Sequence, residues 1–194
     1  MKKYILAITG ASGSIFGLRV MKELVRSSHV YVVASTSSIP IINDESGLDL
    51  SKAPDEVLRK YAESENVSFF DDNNMYAPIS SGSYKTDGML VVPCSMKTLA
   101  SISIGIAGNL IERAADVTIK EGRKLLISPR EMPFSPIHLE NMLKLSRLGV
   151  IIAPPVPAFY HGPKSLEEIF DFITGKILDS MGIENSLFNR WGTD

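Results

Sequence analysis

The sequence predicts an α/β domain of three layers, with helices on both faces of a parallel sheet. Three observations carry that expectation. Short runs of continuous apolar residues, as found in strands buried on both faces, recur along the 194 residues. Between them lie stretches with apolar residues at helical spacing. A glycine-rich turn, Thr9-Gly10-Ala11-Ser12-Gly13, joins the first apolar run to the first helical stretch, as in a strand-turn-helix unit.

The elements follow in order. Tyr4 to Thr9 is apolar and closed by glycine, which reads as a first strand. Ile15 to Arg26 places Ile15, Leu18, Met21, Leu24 and Val25 on one helical face. Val30 to Ala34 is a second strand, and Met89 to Val92 a third, followed by a helix from about Ser95. Leu125 to Ile127 is a fourth strand and Val150 to Ala153 a fifth. Ser135-Pro136 supplies an N-cap with proline at N1 and opens a helix to Leu148. Ser165-Leu-Glu-Glu168 is a capping box that opens the last helix, to about Met181. Residues 47–80 are less regular: Pro54 to Glu63 reads as a surface helix and Phe69 to Asn74 as a loop. This order suits a Rossmann-like or flavodoxin-like domain. No repeat or linker divides it, so residues 1–194 are expected to form one domain. The apolar tail 183–194, with Phe188 and Trp191, is expected to dock, on a neighbouring subunit by preference.

Bulk properties remove several classes of function. Apolar residues make up 44% of the chain, which argues against disorder. The net charge is −2 and the cations are dispersed, so no nucleic-acid surface is expected. No apolar run approaches the ~18 residues of a membrane span. The N-terminus resembles a weak signal peptide, but it runs straight into the glycine turn and is read as the first strand. Cys94 is the only cysteine, which excludes an internal disulfide and a multi-thiolate metal site. The sequon Asn66-Val67-Ser68 is taken as chance, and the cytoplasm is the expected compartment.

Four places carry candidate chemistry. The glycine turn lets backbone N–H groups approach an anion, with the positive end of the next helix behind them; a tight turn without a ligand is the alternative. Pro93-Cys-Ser-Met-Lys-Thr98 follows the third strand in the same way, and Lys97 in a first helical turn opposes the helix dipole unless an anion lies nearby. A solvent-facing lysine is the simpler reading. Ser128-Pro129-Arg130-Glu131-Met132-Pro133 puts a cation and a carboxylate where a parallel strand ends, the edge at which open sheets bind ligands. The alternative there is a solvated ion pair. Lys120, Arg130, Tyr160 and Lys176 would make a phosphate clamp if they converged. Singly, Tyr160 reads as packing and Lys176 as helix surface. His29, His138 and His161 lack metal-ligand spacing. Asp71-Asp72-Asn73-Asn74 is only half of an acidic Mg²⁺–diphosphate motif and reads as a surface turn.

Taken together, Ile8-Thr-Gly-Ala-Ser-Gly13, Gly17-Leu-Arg19, Ser81-Gly-Ser83, Pro93-Cys-Ser-Met-Lys-Thr-Leu-Ala100, Asn109-Leu-Ile-Glu-Arg-Ala-Ala-Asp116, Pro129-Arg-Glu131, His138-Leu-Glu-Asn-Met142 and Pro157-Ala-Phe-Tyr-His161 resemble the UbiX-type flavin prenyltransferases. The likeness runs from about residue 4 to 182 and is weakest over residues 47–75. It implies a metal-independent enzyme that alkylates reduced FMN at N5 with dimethylallyl phosphate, closes a ring onto C6, and passes prenylated FMN to a UbiD-type decarboxylase. It implies FMN binding by Gly10, Ala11, Ser12, Ser35, Ser95, Met96, Lys97, Thr98 and Arg130. It implies prenyl-phosphate binding by Tyr160 and Lys176, helped by Lys120 and Arg130, and proton handling by Glu131, Ser12 and Glu45. Trp191 matches a C-terminal aromatic near the site, and the assembly implied is trimer-based, a dodecamer with sites at subunit contacts.

Two local departures stand out. Ser35 to Ile42 is normally alanine-rich helix; here Pro40 is expected to interrupt it, which leaves the placement of Glu45 open. Lys176 stands where other members carry arginine, a cation without the planar fork. Related cysteine decarboxylases use a histidine near the first helix, and none lies between Met1 and Ser28. A flavin carrier without turnover is the non-enzymatic alternative.

Overall fold

The computed structural model describes residues 1–190 and Gly192. Six parallel strands, β1 (Lys2–Ile8), β2 (Ser28–Ala34), β3 (Val67–Asp71), β4 (Gly88–Cys94), β5 (Leu125–Pro129) and β6 (Ile151–Ile152), form one sheet in the order β3-β2-β1-β4-β5-β6. The helices are α1 (Ser14–Leu24), α2 (Ile39–Ser46), α3 (Pro54–Ala62), α4 (Met96–Ser103), α5 (Leu110–Lys120), α6 (Pro136–Arg147) and α7 (Leu166–Met181). The three-layer parallel fold expected from the sequence is therefore present.

Alternation along β1 assigns each side chain to a layer. Tyr4, Leu6 and Ile8 enter one core with Leu18 and Met21 of α1, Leu58 of α3, and Phe172 and Ile177 of α7. Ile5 and Ala7 enter the other, with Leu99 of α4, Leu110 and Ala114 of α5, and Leu145 of α6. Burial on both faces explains why the central strands read as unbroken apolar runs. No helix among the described residues is long and apolar enough to cross a membrane.

The structure corrects the sequence reading at two places, β3 and Pro40, and shows what the tail touches within its own chain. Val67–Asp71, part of which was expected to be loop, is the edge strand β3. Only Val67 is fully buried there, so the apolar run was short. Its outward-facing Phe69 amide donates to the Asp55 carboxylate at 2.8 Å instead of to another strand. Pro40 does not break a helix, because it lies in the first turn of α2, where its missing N–H costs nothing. The tail folds back on its own chain as far as Arg190. Phe188 meets Phe172 at 5.0 Å between ring centroids, and Arg190 forks onto Asp179 with two contacts of 2.8 Å.

Candidate active site

The strand order reverses between β1 and β4, which are neighbours while their connections leave toward opposite edges. Crevices of open α/β sheets form at such a point, beyond the C-terminal ends of the strands. Thr9 ties the two turns together there. Its hydroxyl donates to the Pro93 carbonyl at 3.0 Å and accepts the Ser95 amide at 2.7 Å.

After β1, Gly13 takes a left-handed φ of 96°, which a side chain would resist, and it offers no cap to α1. Glu45 of α2 supplies the cap from outside. Its carboxylate accepts the Gly13 amide at 3.0 Å, the Ser14 amide at 2.9 Å and the Ser14 hydroxyl at 2.8 Å. Partial burial pushes this carboxyl's pKa up, but hydrogen bonds from Ser12, Ser14 and the Ser14 and Gly13 amides outweigh it and hold the pKa below its ordinary value. Glu45 therefore does reach the turn. It also takes up amides that the sequence reading had offered to a phosphate, so an anion here must look to neighbouring hydroxyls and cations.

Those hydroxyls follow β2. The Ser35 amide donates to the Ile8 carbonyl at 2.9 Å, and the Ser35 and Ser37 hydroxyls pair at 3.2 Å. A Cβ added at Gly10 would stand 2.7 Å from the Ser37 hydroxyl, which would have to turn away. After β4, Ser95 caps α4 by accepting the Thr98 amide at 3.3 Å, and its hydroxyl meets that of Thr98 at 3.1 Å. Lys97 is exposed in that first turn, and Met96 packs partly into the core. Cys94 is fully buried and burial pushes its thiol pKa far up, as suits the inert small residue expected.

Arg130 and Glu131 follow β5 directly. The Arg130 amide donates to the Cys94 carbonyl at 3.1 Å, which seats the pair beside the α4 turn. Both side chains are exposed. Among the described residues no ion pair joins them, and the Glu131 carboxylate instead accepts the Met132 amide at 3.1 Å. The solvated pair considered from sequence is thus not formed, and the Arg130 side chain is exposed beyond the end of β5.

The remaining candidates do not all converge within one chain. The Tyr160 ring lies edge-on to Phe172 at 5.8 Å, one helical turn before Lys176, which is exposed on α7. Lys120 ends α5 near the start of β5 and pairs with Glu121, whereas Arg130 follows the end of that strand. A five-residue strand separates the two edges by roughly 15 Å. Trp191 lies outside the described residues. No cluster of three or more His, Cys, Asp or Glu placed to hold a metal ion occurs among the described residues.

Sequence reasoning passed over Thr9, Ser37 and Asp72. Asp72 was read as part of a surface turn, yet it is buried and binds Thr36. Only Thr9 had a local signal, its place in the glycine turn; the contacts of Asp72 with Thr36 join the ends of two strands distant in sequence, and Ser37 is singled out by its closeness to Gly10.

Two hydroxyl-bearing turns and an arginine outside any ion pair among the described residues lie at the C-terminal strand edge, and the Flavoprotein family model matches residues 1–178, which makes the chain a flavoprotein by family. The flavin prenyltransferase UbiX of Methanocaldococcus jannaschii is 47% identical over 98% of this chain and 99% of its own. The crystal structure of AnUbiX (PadA1) in complex with FMN and dimethylallyl pyrophosphate superposes with a TM-score of 0.90 at 41% identity, covering 98% of this chain and 97% of that one. A dodecameric FMN-dependent UbiX-like decarboxylase from Escherichia coli O157:H7 gives 0.88 at 42%, over 97% and 98%. The chain belongs to the UbiX-type flavin prenyltransferase family. The epidermin biosynthesis protein EpiD of Staphylococcus aureus, at 21% identity and a TM-score of 0.59 over 81% and 85%, shares the fold alone.

Proposed function

We propose that this enzyme transfers a dimethylallyl group from dimethylallyl phosphate to N5 and then C6 of reduced FMN, and releases prenylated FMN to a UbiD-type decarboxylase. The observation that carries the reading is Arg130, exposed and without an ion pair among the described residues, beside Glu131 and next to the hydroxyl turn after β4.

The residues present suit FMN. Ser35, Ser37, Ser95 and Thr98 offer hydroxyls at one sheet edge, and Lys97 and Arg130 offer charge. Gly10, Ala11, Ser12 and Met96 line the same turns and would pass along the flavin. Breaking the allylic C–O bond builds negative charge on the leaving phosphate. Arg130, Tyr160, Lys176 and Lys120 would stabilise that charge in the role a metal plays for diphosphates. Lys120 lies at the far edge of its own chain, so it would come from a neighbouring copy in a trimer-based assembly, a dodecamer like that of the Escherichia coli relative. Glu131 would accept the C6 proton during ring closure. Glu45, its pKa held down, serves as an ionised acceptor that orients Ser12. We place the enzyme in the cytoplasm.

Glu131→Gln tests this assignment. The variant should bind FMN as the wild type does and stall before prenylated FMN appears. Product at the wild-type rate, followed by mass and absorbance, contradicts the role.

A further inference from the structure

Asp72 follows β3 directly, with β2 and β1 lying between that strand and β4, and it is 8% exposed. Its carboxylate turns both oxygens toward one residue: Oδ2 accepts the Thr36 amide at 3.0 Å and Oδ1 accepts the Thr36 hydroxyl at 2.8 Å. The Asn73 side chain adds a contact of 3.3 Å to Oδ1, and the Asp72 carbonyl accepts the Leu110 amide of α5 at 2.7 Å. Asp72 is thereby fixed from three directions. An ionised carboxylate only accepts, so it dictates the orientation of both Thr36 donors.

Thr36 is flanked by Ser35 and Ser37. The Ser38 amide donates to the Ser35 carbonyl at 2.7 Å, and the Ser38 hydroxyl donates to the Ile8 carbonyl at 2.9 Å, closing the segment into a turn on the end of β1. With Thr36 drawn toward Asp72, the Ser37 hydroxyl is left beside Gly10 and paired with that of Ser35. Negative charge at Asp72 cannot itself attract an anion; its value to such a site lies in what it does to the loop.

We propose that Asp72 is a positioning residue for the flavin phosphate: through Thr36 it sets the Ser35 and Ser37 hydroxyls in place to receive it. The inference rests on the reading that this edge binds FMN. It predicts that Asp72 matters for a flavin that carries phosphate and not for one that lacks it.

Equilibrium binding of FMN and of riboflavin, followed by flavin fluorescence, tests this on the wild type, Asp72→Asn, Thr36→Val and the double variant. Each single variant should weaken FMN about tenfold, the scale of one lost hydrogen bond to a charged group, and the double variant no further. Riboflavin affinity should match the wild type throughout. Unchanged FMN affinity in Thr36→Val and Asp72→Asn, or equal weakening for both flavins, overturns the inference. Wild-type protein that binds FMN no tighter than riboflavin overturns the flavin-phosphate reading beneath it. Thr36→Val removes only the hydroxyl contact, so it keeps the test valid if Asp72→Asn folds poorly.

Discussion

The Glu45 carboxylate holds the Ser14 amide at 2.9 Å and the Ser14 hydroxyl at 2.8 Å, so α2 caps α1 across the glycine turn. The turn is built around a resident anion from the protein. Glu45→Ala should lower stability by about 1 kcal/mol, the ordinary cost of a lost cap, and no more because the carboxylate faces solvent. The pKa of Glu45 is depressed in the folded state. Its contribution is therefore complete above the ordinary carboxylate value, about 4, and fades as pH falls through the lower folded value. Thermal melts of wild type and variant should differ at neutral pH and converge in acid. A difference independent of pH contradicts the assignment.

The tail offers a second acid-sensitive contact. The Arg190 fork is the main reason the Asp179 carboxyl is held below its usual range, and Asn185 adds a bond of 2.9 Å. Asp179→Asn should loosen residues 183–190 without disturbing the sheet, seen as faster amide exchange confined to that segment. In the wild type the same loosening should set in only below about pH 4, the ordinary carboxylate value. Tail exchange that is unchanged in Asp179→Asn would show that Phe188 packing alone holds the segment.

Lys120 and Glu131 lie at opposite edges of one chain. If each site takes Lys120 from a neighbour, Lys120→Ala and Glu131→Gln should each be poorly active alone. Coexpressed, they should regain activity, because some sites then combine two intact residues. Mixed assemblies that stay as weak as the parents would show that Lys120 does not act in a neighbour's site.

Cys94 should ignore thiol reagents in the native protein and react fully once denaturant is added, since it is buried with its thiol pKa pushed up. Titration of the native protein with a chromogenic disulfide checks this. One rapid equivalent would contradict the burial.

Much of this was legible in the sequence, for identifiable reasons. Strands covered on both faces betray themselves as apolar runs, which is why β1, β2, β4 and β5 were read correctly. The edge strand β3 has a neighbouring strand on one side only, is mostly half-buried, and mixes Ser68 and Asp71 with its phenylalanines, so its pattern carried no such signal. The turns after β1 and β4 announced themselves by glycine and by a capping serine. What they would bind was read too simply, because the carboxylate of Glu45, on another helix, already occupies α1's first amides. Asp72 acts through contacts with Thr36 at the end of a neighbouring strand, and local spacing does not encode those. The clamp of Lys120, Arg130, Tyr160 and Lys176 was expected from residue types and from the family resemblance, and within one chain Lys120 lies near the start of β5 while Arg130 follows its end.

The most direct test is the mass of the flavin after wild-type protein, reduced FMN and dimethylallyl phosphate are combined without oxygen. The account predicts a flavin heavier than FMN by one dimethylallyl unit, formed in proportion to enzyme turnover. Recovery of FMN alone, bound but unaltered, would contradict it and leave a flavin carrier.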